Sequence, residues 1–437
     1  GVIGVGGRGG ANLKGVSGEN IVALCDVDRG PLDGAARKFP AARKYTDYRK
    51  LLDAAGDLDA VVCSAPDHHH APACIPAMRM GLHCYCEKPL TRDVMEALRM
   101  AEIAAEKKLS THMGTPSRGS EDTVRQVEII RSGGLGDVTE AHFWTNRPIW
   151  AQGYDRPEGE DPIPESLDYE CFIGSAPMRP FKDKWPAGHP VYQTKWRKEV
   201  YHPFVWRGWW DFGTGALGDM ACHTVNLPYM ALNLRDPIAV QAECSGHNGD
   251  YYPKWSIINF EYPELDGRPP VKFTWYDGGK RPNQELFDGE EIAQSGAMII
   301  GEKAKLYAPG DYAAPNGGSG PHLIGGGEFP EVDFVESPGH FQEWVRAIKG
   351  GEPAVSNFPD YAGGLTETNL LGNLAVWVAA TGQGERVEWD AKNMKSPNIP
   401  GLETIIKPIY RPGYTLDLDS ASAAAPIYRR RRKLFGR

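Results

Sequence analysis

The sequence predicts an α/β protein with two domains, the first built on a parallel sheet and the second on a large, mostly antiparallel open sheet. Strand and helix signals alternate over residues 1–116, which is typical of a parallel sheet with crossover helices. Beyond Pro116 the strand-like segments alternate apolar and polar residues in part, which is typical of a sheet with one covered face. A chain of 437 residues is long enough for both domains.

The elements of the first domain follow one another at short intervals. The fourth strand, within LDAVVCSAP, shows no polar alternation, as expected where both faces of a sheet are covered, and it ends at Pro66 on the edge where open α/β sheets bind ligands. Thr91 is expected to be the N-cap of the last helix, with Asp93 in its first turn. Strands are predicted at 1–5, 21–26, 42–45, 58–64, 83–86 and 110–114, and helices near 8–16, 29–39, 47–54, 71–80 and 91–107.

The second domain is less regular. Residues 147–215 are rich in Pro, Gly and Trp, residues 308–330 suggest a surface loop, and the end of the chain reads YRRRRKLFGR. We therefore divide the chain into domains at 1–116 and 117–416 and a basic tail at 417–437, which we expect to be appended or disordered. Further strands are predicted at 138–146, 238–245, 255–261, 270–275, 297–300 and 304–307, and helices at 121–132, 340–349 and 361–381.

The composition narrows the possible partners. A net charge of −9 argues against a general nucleic-acid or anionic-membrane binder, and no apolar run approaches the ~20 residues of a membrane span. The eight cysteines show no zinc-type pairs, and Cys63, Cys84 and Cys86 are expected to be reduced residues on buried strands. No metal site is expected from the run His68–His70, because consecutive side chains point in different directions.

The first residues carry a glycine motif. Gly4, Gly6 and Gly9 form G-x-G-x-x-G directly after an apolar pair, and Asp26 ends the next apolar run. In such an arrangement the glycines permit a tight turn, close approach to a pyrophosphate and close helix packing, while the acid binds a ribose hydroxyl. The pattern predicts a dinucleotide site, with a plain strand–helix turn as the alternative.

Two further groups of residues have types suited to catalysis. Lys88 follows Glu87 after a buried strand, where a charged pair is costly unless it faces a cleft, and a cation there can stabilise a developing alkoxide. Asp219 and His223 are spaced i, i+4 and so share one helix face, where His223 can accept a hydroxyl proton and Asp219 can orient His223 or the substrate. The alternative for Glu87 and Lys88 is an ordinary surface ion pair, and the alternative for Asp219 and His223 is a structural ion pair.

Four tryptophans precede that second group: Trp196, Trp206, Trp209 and Trp210. Flat aromatic faces suit a sugar ring, and they equally suit a core or a subunit interface. We expect Trp206, Trp209 and Trp210 to contact substrate.

These motifs together resemble one family. The pieces GVGGRG, SAPDHHH, EKPL, IRSGGLGDV and D-x3-H occur in the order and spacing of the glucose–fructose oxidoreductase, inositol dehydrogenase and MocA-like (Gfo/Idh/MocA) family of NAD(P)-dependent oxidoreductases. They extend from residue 1 to about 235, and the remainder fits by length and pattern only. Ala221 and Asn226 depart from the family pattern, which often has Gly and Asp there.

The resemblance implies a Rossmann-type first domain, a second α/β domain and a set of site residues. Lys88 would contact nicotinamide and substrate, and Asp219 and His223 would complete the catalytic set with His223 as acid/base. The cofactor-binding residues implied are Gly4, Gly6, Gly7, Arg8, Gly9, Asp26, Ala65, Pro66, His70, Glu87 and Lys88.

The expected activity is NAD-dependent hydride transfer from a secondary alcohol of a sugar or cyclitol. Asp26 favours NAD over NADP, since a carboxylate repels a 2′-phosphate, and Arg29 softens that preference. An NAD-dependent glycosidase with transient sugar oxidation and a non-catalytic dinucleotide sensor are the alternatives. A homodimer or homotetramer is expected. Because Gly1 falls inside the first strand, we expect preceding residues, and the location is cytoplasmic, or periplasmic if those residues hold a signal.

Overall fold

Six short strands form the first sheet of the computed structural model. The structure describes residues 1–418 except 55, 117–120, 312–319, 328, 330, 332, 334 and 335. The strand order is β3-β2-β1-β4-β5-β6 and every pairing is parallel. The order reverses at β1, so a crevice opens between the carboxyl ends of β1 and β4. The strands are β1 (Val2–Ile3), β2 (Ala23–Cys25), β3 (Arg43–Tyr45), β4 (Ala60–Cys63), β5 (His83–Glu87) and β6 (Thr111–Gly114).

Helices connect these strands, and two of them begin elsewhere than predicted. The fourth helix starts at Asp67, so the three histidines lie inside it. The fifth is capped by Asp93, whose backbone amide donates to the Glu96 carboxylate, whereas Thr91 donates its hydroxyl to the Asp93 carbonyl; the assignment of Thr91 as N-cap was wrong. The helices are α1 (Arg8–Gly15), α2 (Arg29–Ala36), α3 (Tyr48–Asp53), α4 (Asp67–Arg79), α5 (Val94–Glu106) and α6 (Glu121–Arg131).

The second sheet has eight strands in the order β13-β12-β11-β7-β10-β9-β8-β14. Its pairings are antiparallel except between β7 and β10, which confirms the predicted mostly antiparallel sheet. Burial alternates along β9, so one face is covered and the other meets solvent. The strands are β7 (Val138–Trp144), β8 (Ala239–Cys244), β9 (Ser256–Tyr262), β10 (Val271–Tyr276), β11 (Gly296–Gly301), β12 (Lys305–Pro309), β13 (His322–Leu323) and β14 (Val387–Glu388).

Helices from the second half cover both sheets. Gly372 lets one of them approach Leu217 and Phe260 closely, because a Cβ there would lie 2.5 Å from Leu217 Cδ2. Another, beginning at His340, returns to the first sheet and stacks Phe341 on Tyr85 at 5.4 Å. The helices are α7 (Tyr169–Ile173), α8 (Gly215–Thr224), α9 (Asn226–Leu232), α10 (His340–Ile348), α11 (Gly363–Val378) and α12 (Glu403–Ile406).

The aromatic segment 147–215 docks on the first domain. Its backbone bonds the residues after β2, with the Asp168 amide 2.8 Å from the Val27 carbonyl. The histidine run holds the same segment, since ring nitrogens of His68 and His69 lie 3.0 and 2.8 Å from the Phe172 carbonyl oxygen. These histidines therefore contribute to docking.

The cysteines of the first domain are buried core residues. All eight cysteines are free, and the sulfur atoms of Cys63, Cys74 and Cys86 lie within 4.8 Å of one another. Burial raises the pKa of the Cys74 thiol to about 11, which keeps it protonated and apolar.

Two other sequence expectations concern the outer parts of the chain. The tail beyond residue 418 and much of the predicted loop 308–330 lie outside the described residues. Within the described part, no helix combines the length and apolar character that crossing a bilayer requires.

Candidate active site

The turn after β1 can be made only by glycine at two positions. Gly4 has φ +78°, and a Cβ on it would lie 2.7 Å from the Ser64 carbonyl carbon. A Cβ on Gly9 would lie 2.0 Å from the Gly4 carbonyl oxygen, so the third glycine lets α1 pack against the turn. Gly7, at φ +49°, has open space above it at the N-terminus of α1. Open backbone at a helix N-terminus suits a phosphate.

Asp26 lies directly beside this turn, at the end of β2. One carboxylate oxygen accepts from the Val5 amide at 2.8 Å and the Gly6 amide at 3.2 Å, and the other accepts from the Asp28 amide at 3.0 Å. Burial raises the pKa of Asp26, and these amide donors oppose that shift. The carboxylate is thereby fixed at the strand end, where a ribose would lie.

A cavity of about 490 Å³ extends from this turn. One wall is formed by residues of the first domain: Gly4, Gly6, Gly7, Arg8, Asp26, Ser64, Ala65 and Pro66. Residues of segment 147–215 form much of the opposite wall, among them Phe172, Arg197, His202, Phe204 and Trp206. His202 Nε2 lies 3.6 Å from Asp28 Oδ2. The glycine-lined wall and the fixed carboxylate fit a dinucleotide, and segment 147–215 covers it.

A second cavity of about 660 Å³ adjoins the first. Residues that line both are Arg8, Ser64, Ala65, Phe204, Trp206 and Arg207. Lys88, Asp219 and His223 line the second cavity together, although they come from different domains. The structure thus brings the three predicted catalytic residues to one place beside the dinucleotide cavity.

Lys88 is held by Asp219. Its Nζ donates to the Asp219 carboxylate at 2.8 Å and also to the Asp219 backbone carbonyl. Arg207 Nε donates to the same carboxylate at 3.0 Å. Burial by itself raises the pKa of Asp219, but Lys88 and Arg207 outweigh it and hold the pKa well below its usual range. The ionised carboxylate therefore positions Lys88.

His223 lies one turn further along α8 and is 5% exposed. Burial, and next the Lys88 cation, lower its pKa well below the usual value, and the Asp219 charge only partly opposes this. The imidazole is therefore neutral at ordinary pH and able to accept a proton. The Asp219 carboxylate, one turn before His223 on the same helix, accepts from Lys88 and Arg207.

Glu87 lines the second cavity and is buried rather than on the protein surface. Its carboxylate accepts from Asn12 Nδ2 at 2.8 Å and from Arg8 Nε at 3.1 Å. Gly114 leaves room for it, since a Cβ there would lie 2.5 Å from the Glu87 carboxyl carbon. Glu87 consequently fixes Arg8 at the junction of the two cavities.

Three residues that were expected to contact cofactor or substrate lie outside the lining of both cavities: His70, Trp209 and Trp210. His70 lies behind the cavity wall, with its ring nitrogens 2.8 Å from the Ala65 and Pro89 carbonyl oxygens, so it supports that wall and does not line it. Trp209 is fully buried, bonds the Val200 carbonyl and packs on Tyr251 at 3.9 Å.

Trp210 stacks on Tyr252 at 3.8 Å, outside both cavities. Of the three tryptophans expected to contact substrate, Trp206 lines the catalytic cavity and the other two do not, and the Arg207 guanidinium carbon lies 4.2 Å from the centre of the Trp206 ring. Trp209 and Trp210 are core residues because their large apolar surfaces complete aromatic clusters.

The structure also adds residues that the sequence analysis missed. Asp67 lines the catalytic cavity and accepts from the Thr214 hydroxyl at 2.7 Å, and Arg147 lines it from the end of β7. Asp67 belongs to the quoted SAPD motif, a signal that could have found it. Arg147 and Arg207 lie in irregular sequence that carries no such signal. Asn226, a departure from the family pattern, accepts from Tyr361 outside both cavities.

Two family models match the chain. The NAD-binding Rossmann fold of an oxidoreductase family matches residues 1–115, and the C-terminal α/β domain of the same family matches residues 137–319.

Individual relatives match shorter parts. An inositol 2-dehydrogenase of Leifsonia xyli subsp. xyli is 30% identical over 200 residues, which is 43% of this chain and 54% of that protein. A glycosyl hydrolase family 109 protein of Shewanella pealeana is 30% identical over 150 residues, or 32% of this chain and 33% of that protein. The chain thus spans about half the length, or less, of these curated relatives.

A solved structure matches the fold over most of the chain. The WlbA dehydrogenase from Bordetella pertussis, in complex with NADH and UDP-GlcNAcA, superposes with a TM-score of 0.57 at 17% identity. The match covers 89% of this chain and 98% of that one. With the glycine turn, the paired domains and both family models in agreement, this chain belongs to the Gfo/Idh/MocA oxidoreductase family.

Proposed function

We propose that this protein is an NAD-dependent oxidoreductase that transfers hydride from a secondary alcohol of a sugar or cyclitol. The observation that carries the proposal is the meeting of Lys88, Asp219 and His223 in a cavity adjoining the glycine-lined one. A dinucleotide sensor has no need of a partly buried lysine beside a neutral histidine, so this set disfavours the non-catalytic alternative.

Lys88, Asp219 and His223 each have a separate role in the proposed reaction. Bound NAD, held by the glycine turn and Asp26, supplies the group that accepts hydride from the substrate carbon. The Lys88 ammonium donates to the reacting hydroxyl and favours its alkoxide form, while Asp219 holds the ammonium in place. His223, neutral because its pKa is lowered by burial and by Lys88, accepts the hydroxyl proton.

The relatives support this class of substrate. Inositol 2-dehydrogenases are among the curated proteins that match, and their matches span about half of their length. The test is a panel of sugars, polyols, cyclitols and glycosides offered to the purified protein, with NADH absorbance and released aglycone both followed. Reduction of NAD by an alcohol supports the proposal, and failure of every alcohol to reduce bound or added NAD contradicts it.

A second candidate is an NAD-dependent glycosidase that oxidises a sugar transiently and returns the hydride. The family 109 relative and the cover that segment 147–215 forms over the cofactor cavity favour it. In the same panel, release of aglycone without net NADH would identify this activity.

We expect Asp26→Asn to reduce the preference for NAD over NADP. The amide keeps the size of the carboxylate and removes the charge that repels a 2′-phosphate. The Kd for NADP divided by the Kd for NAD should therefore fall about tenfold, equivalent to about 1.4 kcal/mol. Asp28→Asn is the matched control, since Asp28 lines the same cavity and caps α2 by accepting from the Gly30 amide at 2.9 Å. An unchanged ratio in Asp26→Asn would remove Asp26 from cofactor selection.

We expect Trp206→Ala to raise KM more than it lowers kcat. Trp206 lines the catalytic cavity, and a ring contact with a sugar is present in ground and transition states alike, so KM should rise about 3- to 10-fold. Trp196→Ala is the control, because Trp196 packs on the aromatic cluster of segment 147–215 outside both cavities. A folded Trp206→Ala variant with the KM of wild type would show that this ring does not contact substrate.

A further inference from the structure

Two arginines share the catalytic cavity with Lys88. Arg147 follows β7 and Arg207 precedes α8, and their side chains are 15% and 19% exposed. Both line the cavity that holds His223. Arg207 holds the Asp219 carboxylate, and Arg147 has no part in the proton and hydride transfer proposed above.

The cations of this cavity share few carboxylates. The Asp219 carboxylate pairs with Lys88 Nζ at 2.8 Å and with Arg207 Nε at 3.0 Å. Arg147 Nε lies 3.9 Å from the same carboxylate. Of the other acids, Glu87 is bound by Arg8 and Asp311 lies 3.4 Å from Arg147.

Asp67 is the remaining acid of the cavity. It accepts from the Thr214 hydroxyl at 2.7 Å, and burial raises its pKa. Lys88 and Arg207 thus share one carboxylate, and Arg147 lies between that carboxylate and Asp311.

Each arginine also has one terminal nitrogen whose N–H groups are not used in a hydrogen bond with another described residue. Arg207 uses Nε for Asp219 and one terminal nitrogen for the Phe204 carbonyl. Arg147 uses one terminal nitrogen for Asn146 and Asp311. Among the described residues, the other terminal nitrogen of each has no protein acceptor. Arg207 is also held flat, with its guanidinium carbon 4.2 Å from the centre of the Trp206 ring.

We propose that the alcohol substrate carries an anionic group, a carboxylate or a phosphate, and that Arg147 and Arg207 bind this group while Lys88 contacts the reacting hydroxyl. A planar guanidinium offers paired donors that match either group. The inference rests on the proposed function and narrows its substrate class to acidic sugars.

The test compares glucose, glucuronate and glucose 6-phosphate as probes of one ring with no anion, a carboxylate or a phosphate. Wild type should show kcat/KM at least about tenfold higher for one of the two anionic sugars than for glucose, since charge-assisted bonds are worth that much. Arg147→Gln should lower this value about 10- to 100-fold and change the value for glucose far less, whereas Arg207→Gln should lower both values, because Arg207 also holds Asp219. A higher kcat/KM for glucuronate identifies the anionic group as a carboxylate, and a higher kcat/KM for glucose 6-phosphate identifies it as a phosphate.

Arg386→Gln is the matched control, because it removes the same charge from the Glu261 pair on the second sheet. Equal kcat/KM for neutral and anionic sugars, or a loss in Arg386→Gln as large as in Arg147→Gln, overturns the inference. Arg147→Lys keeps the charge without the paired donors and should restore part of the lost activity. Melting temperatures separate this effect from misfolding of the loop around Arg207.

Calorimetric binding to the NAD-saturated wild type separates this inference from the proposed function. If no alcohol reduces NAD but an anionic sugar binds more tightly than glucose and Arg147→Gln removes the difference, the anion site stands and the proposed function fails. If the anionic sugars bind no more tightly than glucose, the anion site is overturned whatever the enzyme oxidises.

Discussion

Replacing Lys88 by Met is expected to lower kcat by about 10²- to 10³-fold while NAD still binds, since removing one donor from a developing oxyanion typically costs that much. The Lys88 side chain is 14% exposed, and its ammonium is positioned by the Asp219 carboxylate in the cavity that also contains His223. Methionine has a similar reach without charge, so the loss reports the ammonium itself. Steady-state kinetics on the alcohol found by the panel, with NAD binding measured in parallel, provide the check.

The variant is expected to fold, because Arg207 still pairs with Asp219 at 3.0 Å. Lys349→Met serves as the matched control: Lys349 pairs with Glu19 on the surface and is 62% exposed, so the same substitution there should leave kcat unchanged. A Lys88→Met enzyme with normal turnover would place the chemistry elsewhere in the molecule.

The second large effect is expected for His223→Ala, which should lower kcat for alcohol oxidation by about 10²-fold or more. The reason is the loss of the neutral base next to Lys88. His322→Ala is the control, since His322 pairs with Glu290 outside both cavities. If hydroxide replaces the missing base, the residual rate of His223→Ala should rise with pH; a wild-type rate in this variant would contradict the assignment.

The pH dependence follows from the direction of the His223 shift. Its folded-state pKa lies below the ordinary value of about 6.5, so the ring stays neutral as the pH falls through that value. Oxidation should therefore continue below the usual histidine range and decline only at more acid pH. Below about pH 6.5 the unfolded chain binds a proton that the folded chain does not, so the contribution of His223 to stability decreases as the pH falls.

Local sequence patterns predicted the parts of the site that depend on local geometry. The glycine spacing places Gly4 and Gly9 where any Cβ would collide, and the end of β2 places Asp26 beside them. Lys88 follows a buried strand, and His223 lies on the expected helix. Such features follow from a strand or helix and its immediate neighbours, so periodicity and spacing were sufficient to find them.

The remaining features depend on contacts between distant segments. Arg147 and Arg207 flank the long aromatic segment, where no periodic pattern indicates which side chains face inward. The same lack of pattern made Trp209 and Trp210 look like substrate contacts, whereas both complete aromatic clusters. The partnership of Asp219 with Lys88 joins residues 131 positions apart, so sequence spacing could not indicate it.

The most direct test of the account is transfer of deuterium from the alcohol carbon to the cofactor. The alcohol found by the panel would be labelled at its carbinol carbon and mixed with NAD and wild type, Lys88→Met or Lys349→Met, and the cofactor would be analysed by mass spectrometry. The account predicts one deuterium on the reduced cofactor with wild type and Lys349→Met, and almost none with Lys88→Met in the same time. Oxidised product without deuterium on the cofactor, or equal labelling with Lys88→Met, would contradict it.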